Sequence, residues 1–232
     1  MRVQVFNANG LAGKAEEIQR FAGEQGSDIV VTLETWLSQR DAVPIPSAIA
    51  NITSTRDGVI SGGKRNHGGI LVNVLTPEYL TCSRLIRIAL DGHAAVMEIN
   101  GVIFIFAYLP PSLPDTCIND LLTLAEETVQ GRDSRCVIAG DLNARCAELT
   151  GDHHTSTRGR VFANALSTSA FTLQRSVSGL WTSFNESGYG IPDVVLANFK
   201  IHNVTVHEKV SCADSDHRPI TFTIEDSKPR DK

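Results

Sequence analysis

Six apolar runs of this chain end in a restricted set of polar side chains. "VQVF" (3–6) runs into Asn7-Ala8-Asn9, "DIVVTL" (28–33) into Glu34, "VIFIFA" (102–107) into Tyr108, and "CVIAG" (136–140) into Asp141 and Asn143. Thr182 stands ahead of Asp193, and "SDHRPI" sets Asp216 and His217 just before the last run, "ITFTI" (220–224). Glu34, Asp141 and Asp216 are hard oxygen ligands, and Asn7 or Asn9 adds a carbonyl oxygen. Oxygen donors without sulfur suit Mg²⁺ or Mn²⁺. A cation held by one or two carboxylates keeps positions open for a phosphate oxygen. His217 supplies a second donor or a base, and Asn143 and Tyr108 supply neutral donors. These are the parts for metal-assisted hydrolysis of a phosphate ester.

Taken singly, each residue has a plainer reading, since Asp or Asn after a strand is ordinary turn chemistry. The weight comes from the elements that must carry them. Nine runs rich in Val and Ile, bounded by Gly, Pro, Asn or Asp, read as strands: 3–6, 28–33, 69–75, 84–90, 94–99, 102–109, 136–140, 193–197 and 220–224. Three segments carry a helical period, 14–25, 117–130 (with Asp115 as its expected N-cap) and 159–168. Asn100-Gly101 between two strand runs predicts a hairpin. Runs such as "DIVVTL" and "VIFIFAYL" are apolar on both faces and need cover on both sides. The expected fold is therefore α/β, two sheets packed together with helices outside. Adjacent strands bring their ends together, so the polar residues form one mouth over an apolar core.

The bulk numbers set bounds. A chain of 232 residues with 42% hydrophobic content supports its own core, read here as one domain over 1–225 with a charged tail at 226–232. Five cysteines at wide spacings, with no C-x-x-C, make a poor disulfide framework and a poor zinc site. No apolar run approaches a membrane span, so no membrane partner is expected. A formal net charge of −5 excludes binding DNA through a generally basic surface; any positive potential has to be local. The sequence holds no G-x-S-x-G and no Walker loop, and "SGGKRNHGG" (61–69) lacks P-loop spacing. His153 and His154 are adjacent, point apart, and read as loop residues.

The order and spelling of these motifs, from "NANGL" to "SDHRPI", resemble the exonuclease–endonuclease–phosphatase superfamily, which includes deoxyribonuclease I and the apurinic endonucleases. The resemblance implies a four-layer α/β sandwich, two packed mixed β-sheets flanked by helices. It also implies roles: Asn7 at the phosphate and metal site, Glu34 as principal Mg²⁺ ligand with Asn9 and Asp216 assisting, and Asp141 activating water. Asn143 would orient the phosphate, Tyr108 would help the leaving oxygen, Thr182 would sit in a phosphate-side "T-F"-like motif, Asp193 would buttress the site, and His217 would contact the scissile phosphate.

Within the superfamily, "NANGL", "LETWL", "AYLPPS" and "AGDLNAR" are most similar to the endonuclease domain of non-LTR (LINE-type) retrotransposons. The resemblance then implies a Mg²⁺-dependent enzyme (Mn²⁺ as substitute) that nicks one strand of double-stranded DNA, acts in the nucleus, and precedes a C-terminal reverse transcriptase domain. The "ARCAELTGDHH" run after Asn143 argues against the apurinic branch. An apurinic or non-specific deoxyribonuclease, a phosphohydrolase of the same fold acting on lipid or inositol phosphates, and a degenerate binding module are the alternatives. Lys64, Arg65, Arg158 and Arg160 are expected to supply local positive potential for DNA, and Trp181 and Tyr189 to stack or wedge.

Overall fold

All nine apolar runs become strands in the computed structural model, which describes residues 1–38, 41, 48–52, 68–131, 133–185, 188–208 and 215–225. In chain order the strands are β1 (Arg2–Asn7), β2 (Ile29–Leu33), β3 (Ala48–Ile52), β4 (Ile70–Val74), β5 (Ser83–Ala89), β6 (Ala94–Ile99), β7 (Val102–Tyr108), β8 (Cys136–Asp141), β9 (Thr172–Leu173), β10 (Ser183–Asn185), β11 (Gly188–Gly190), β12 (Asp193–Ala197), β13 (His202–Val206) and β14 (Ile220–Thr223). The helices are α1 (Ala15–Gln25), α2 (Pro77–Leu80), α3 (Cys117–Val129), α4 (Ala147–Thr150) and α5 (Thr157–Ser167).

Two six-stranded mixed sheets form, ordered β13-β14-β1-β2-β4-β3 and β5-β6-β7-β8-β12-β9. Their facing sides share one core in which Val5, Val31 and Val72 of the first sheet meet Phe104, Phe106 and Ala139 of the second. The outer face of the first sheet buries Phe6, Val30 and Leu71 against Ile18 and Ala22 of α1. The outer face of the second buries Ile105 and Ile138 against Ile118 and Leu121 of α3 and Phe162 of α5. The layers are thus helix, sheet, sheet, helix, which is why the central runs are apolar on both faces.

The local chemistry follows the sequence with one exception among the helices. Asn100 and Gly101 both take positive φ (50° and 73°), as the tight β6–β7 turn requires. Ser156 caps α5 by accepting from the Gly159 amide at 3.0 Å. Asp115 does not cap α3: Thr116 occupies that position without a side-chain bond, because Asp115 Oδ1 is drawn 3.5 Å from Arg158 Nε. Cys136 is buried, with its thiol pushed up to about 12 by burial, whereas Cys82 is exposed.

β1 and β14 lie side by side in the middle of the first sheet, with Arg2 opposite Thr223 and Val5 opposite Ile220. The Met1 amino group donates to the Ile224 carbonyl at 3.0 Å. Gly140 in β8 lies so close to β7 that a Cβ there would stand 1.9 Å from the Ala107 carbonyl oxygen. Only glycine lets the two strands meet at that point.

Candidate functional site

The parallel pairs β1–β2 and β7–β8 send four strand C-termini to the same edge of the sandwich, and antiparallel β12 and β14 begin there. Asp193 consequently sits opposite Asp141 in the ladder, and Asp216-His217 arrive just ahead of β14. The polar ends of the six runs therefore meet, at the carboxyl edge of the central strands. Three of the residues there, Asn9, Glu34 and Asn143, hold positive φ near 50°, a conformation that non-glycine residues keep only where the surroundings enforce it.

Asn7, almost wholly buried, ties the set together. Its Nδ2 donates to Glu34 Oε1 and to Asp141 Oδ2, both at 3.0 Å, and its Oδ1 accepts from the Asn9 amide at 3.0 Å. Asn9 Nδ2 donates to Asp216 Oδ1 at 3.3 Å. On the other side, His217 Nδ1 lies 2.8 Å from Asp193 Oδ2, and its Nε2 lies 3.8 Å from Asp141 Oδ2. Ser215 fixes the approach by donating to the Asn7 carbonyl at 2.7 Å and accepting from the His217 amide at 3.1 Å. A cleft of about 300 Å³ opens over these groups, lined among others by Asn9, Glu34, Asp141, Asn143, Asp216 and His217.

Burial and the Asp193 carboxylate push the Asp141 carboxyl up to about 7, against the lowering pull of His217 and of the bonds from Asn143 and Asn7. For His217, burial disfavours the charged ring, but Asp193, through its charge and hydrogen bond, outweighs it. Asp141 and Asp216 add to that effect, and the imidazole rises to about 10. A carboxyl that exchanges its proton near neutrality thus faces an imidazolium held cationic from behind.

The donors fit a hard divalent cation. Glu34 engages Asn7 through one oxygen only, and Asn9 spends its Nδ2 on Asp216, which leaves its Oδ1 as an acceptor. Glu34, Asn9 and Asp216 line the same cleft, and no cysteine among the described residues does. This is an all-oxygen set of the kind Mg²⁺ takes.

Other expected residues stand elsewhere. Tyr108 ends β7 beside Asp141; its side chain packs with the core between the sheets and is not among the cleft-lining residues. Thr182 is buried and accepts from the Asp193 amide at 3.3 Å, so it positions the buttress. Asn143 donates its side-chain amide to the Leu109 carbonyl at 3.1 Å, while its backbone N–H donates to Asp141 Oδ1 at 2.9 Å. It shapes Asp141 through the main chain, because the strand ends at Asp141 and Asn143 turns left-handed.

Arg158 corrects the expectation of a DNA-facing cation. It is buried, and its guanidinium donates to the carbonyls of Leu109, Pro110, Leu142 and Leu113. Nη1 and Nη2 meet a cluster of inward-turned carbonyls, so the side chain holds two loops together. Arg160 is exposed on α5 and bonds Thr157 within its own helix. Lys64 and Arg65 lie outside the described residues.

Sequence reasoning missed Arg145, which lines the cleft. Its only signal was its place directly after "GDLNA". Nε and Nη2 each lie 3.0 Å from an oxygen of Asp152, whose pKa is lowered because these bonds, with those from the Ile191 and His154 amides, outweigh the effect of burial. Trp181 and Tyr189 stack at 4.4 Å between ring centroids, and His153, read as a loop residue, packs on Tyr189 at 4.9 Å. Tyr189 is half exposed and borders the cleft.

A family model described as "Endonuclease-reverse transcriptase" matches residues 102–221, just over half of the chain. The chain is 26% identical over 240 residues to the "Probable RNA-directed DNA polymerase from transposon BS" of Drosophila melanogaster, and spans 97% of its own length but 24% of that protein's. In fold it resembles the "Endonuclease domain of TRAS1, a telomere-specific non-LTR retrotransposon" (TM-score 0.74, 16% identity, 98% of this chain and 99% of that one). It also resembles an "AP Endonuclease from Archaeoglobus fulgidus" (TM-score 0.70, 16% identity, 97% and 99%). Both likenesses bear on the four-layer fold alone.

Proposed function

The chain belongs to the Endonuclease-reverse transcriptase family, and from that premise we propose that it is a Mg²⁺-dependent endonuclease that nicks one strand of double-stranded DNA. The nick leaves a 3′-hydroxyl and a 5′-phosphate, and the 3′-hydroxyl primes reverse transcription by a domain of the same longer polypeptide. The observation that carries this reading is the bridge made by Asn7. One amide joins the Glu34 and Asp141 carboxylates within reach of a His217 that Asp193 holds from behind.

Glu34, Asn9 and Asp216 would hold the cation, which would supply Lewis-acid polarisation of the scissile phosphate and offset its negative charge. Asp141 accepts a proton from the attacking water as the water oxygen bonds to phosphorus; the P–O3′ bond breaks, and the leaving 3′-oxygen takes a proton from solvent. Asp141 Oδ2 is fixed by Asn7 and Oδ1 by the Asn143 amide, so the base stands still while the water is aligned. His217, protonated at neutral pH, donates from Nε2 to a non-bridging phosphate oxygen as charge builds there. Asp193 takes the Nδ1 proton in a hydrogen bond, which fixes the ring's orientation.

The test is relaxation of supercoiled plasmid. Wild-type protein with Mg²⁺ converts it to open circles, EDTA abolishes the conversion, and Asp141→Ala and His217→Ala are inactive. Wild-type rates in either variant refute the assignment. Intact plasmid together with phosphate release from a lipid or inositol phosphate moves the substrate to that class.

A further inference from the structure

We propose that Arg145 is a substrate-binding residue that grips a backbone phosphate beside the scissile one, on the side of the cleft walled by β10 and β11. The inference rests on the endonuclease reading above and names a contact within that site.

Three observations carry it. First, Arg145 is the one lysine or arginine among the described residues lining the cleft, where it faces Glu34, Asp141 and Asp216. A phosphodiester chain entering a mouth with three carboxylates needs a fixed cation besides the metal and His217, and the net charge of −5 means the general surface does not supply it.

Second, the chain is built around this guanidinium. A Cβ on Gly190 would stand 2.5 Å from Arg145 Nε and 2.7 Å from its Nη2, and a Cβ on Gly159 would stand 1.8 Å from the Arg145 carbonyl oxygen. Gly190 has an ordinary backbone conformation, so its lack of a side chain is explained by the space the guanidinium takes. Both the main chain and the side chain of Arg145 are therefore locked before any ligand arrives, which removes the entropy cost of ordering a long cation on binding.

Third, the donors divide. Nε and Nη2 are spent on the protein: on the buried Asp152 carboxylate, on His153, and on the Tyr189 carbonyl. Nη1 has no protein partner among the described residues. Asp152 anchors the guanidinium from its far side, and the Ile191 amide shares the Asp152 charge at 2.7 Å. The remaining edge of the fork offers directed N–H donors to an anion.

Arg145→Lys is the decisive variant. Lysine keeps the ion pair with Asp152 but has no second nitrogen for the cleft. Duplex binding is read by fluorescence anisotropy in EDTA, so that cutting plays no part, across a series of salt concentrations. The expected result is a melting temperature lowered by the lost bonds to Asp152, His153 and the Tyr189 carbonyl, about tenfold weaker binding, and a log–log salt slope shallower by about 0.9, the loss of one phosphate contact. A strut that only props the hairpin predicts the lowered melting temperature with the salt slope unchanged. Wild-type affinity and slope in Arg145→Lys therefore overturn the proposal.

A second measurement uses the wild-type protein on duplexes carrying a single methylphosphonate at successive positions. One position adjacent to the nick should cost about tenfold in binding, and Arg145→Lys should be indifferent to it; if no neighbouring position matters, the contact does not exist. Binding without nicking would instead overturn the endonuclease reading and leave the Arg145 contact to stand or fall on the slope.

Discussion

Replacing Asp193 by asparagine should convert the enzyme's activity from one sustained at alkaline pH into one confined to acid. The asparagine keeps the size of the side chain and an oxygen that accepts the His217 Nδ1 proton, but it removes the charge. That charge and hydrogen bond are the main reason the imidazole reaches about 10 against the penalty of burial. With the imidazole at about 10, roughly 99% of the wild-type rings are cationic at pH 8; without the Asp193 charge, burial pulls the ring back down and the cationic fraction at pH 8 falls. The cost at pH 8 is the loss of a charged donor to the developing phosphate charge, about 10²–10³-fold in nicking rate. Acid restores the cationic ring in the variant. Asp193 also raises Asp141, so its removal lowers Asp141 and extends its use as a base to lower pH. Both limbs of the pH profile therefore move to lower pH, and the variant should recover to within about tenfold of wild type at pH 6. The assay is single-turnover nicking of supercoiled plasmid at saturating Mg²⁺ from pH 5.5 to 9.5. A defect of the same size at every pH would refute the reasoning, because it would mean that Asp193 acts through geometry and not through the charge state of His217.

Three other changes have defined outcomes. Asn7→Ala removes the amide that lowers Asp141, so nicking should fall about 10²-fold and the acid limb of the rate profile should move to higher pH; a limb that stays in place breaks the link between Asn7 and Asp141. Arg158→Ala leaves a group of buried carbonyls without donors and should cost about 3 kcal/mol in urea unfolding, whereas an unaltered midpoint would return Arg158 to the surface role expected from sequence. Gly140→Ala places a methyl 1.9 Å from the Ala107 carbonyl oxygen and should destabilise by at least about 2 kcal/mol, read as a lowered thermal midpoint.

What was legible in the sequence was whatever a local period or a bounded apolar run can express. The nine runs are the strands that build both cores, and the turn at Asn100-Gly101 follows from its two residues. Strands β3 and β9, the β10–β11 hairpin and β13 were not foreseen. Each lies at an edge or outside the two sheets, where polar residues such as Asn51, Ser183 and Asn203 interrupt the apolar pattern. For the site, types and order sufficed to bring Asn7, Glu34, Asp141, Asp193 and His217 to one place, because strand polarity alone decides which ends meet. The roles of the arginines were illegible for a physical reason. Whether a guanidinium faces solvent, a carboxylate or a knot of carbonyls depends on loops arriving from distant parts of the chain. Arg158 meets Leu109 and Leu142, and Arg145 meets Asp152 and Gly190, and no window of sequence contains those partners together.

The pairing of β1 with β14 also sets when in the life of the polypeptide cutting becomes possible. Asn7, from the first strand, must wait for Asp216, His217 and the closing strand at 220–223, more than two hundred residues of synthesis later. Until then β1 has one neighbour instead of two, Met1 lacks the Ile224 carbonyl, and the cleft lacks one wall. Nascent chains and early-terminated products therefore lack an assembled site, which is completed only when the last strand docks. For the endonuclease proposed above, the order of strands delays assembly of the site until nearly the whole domain has been synthesised. A split of the chain anywhere before β14 should yield two fragments that are harmless apart and active only when recombined.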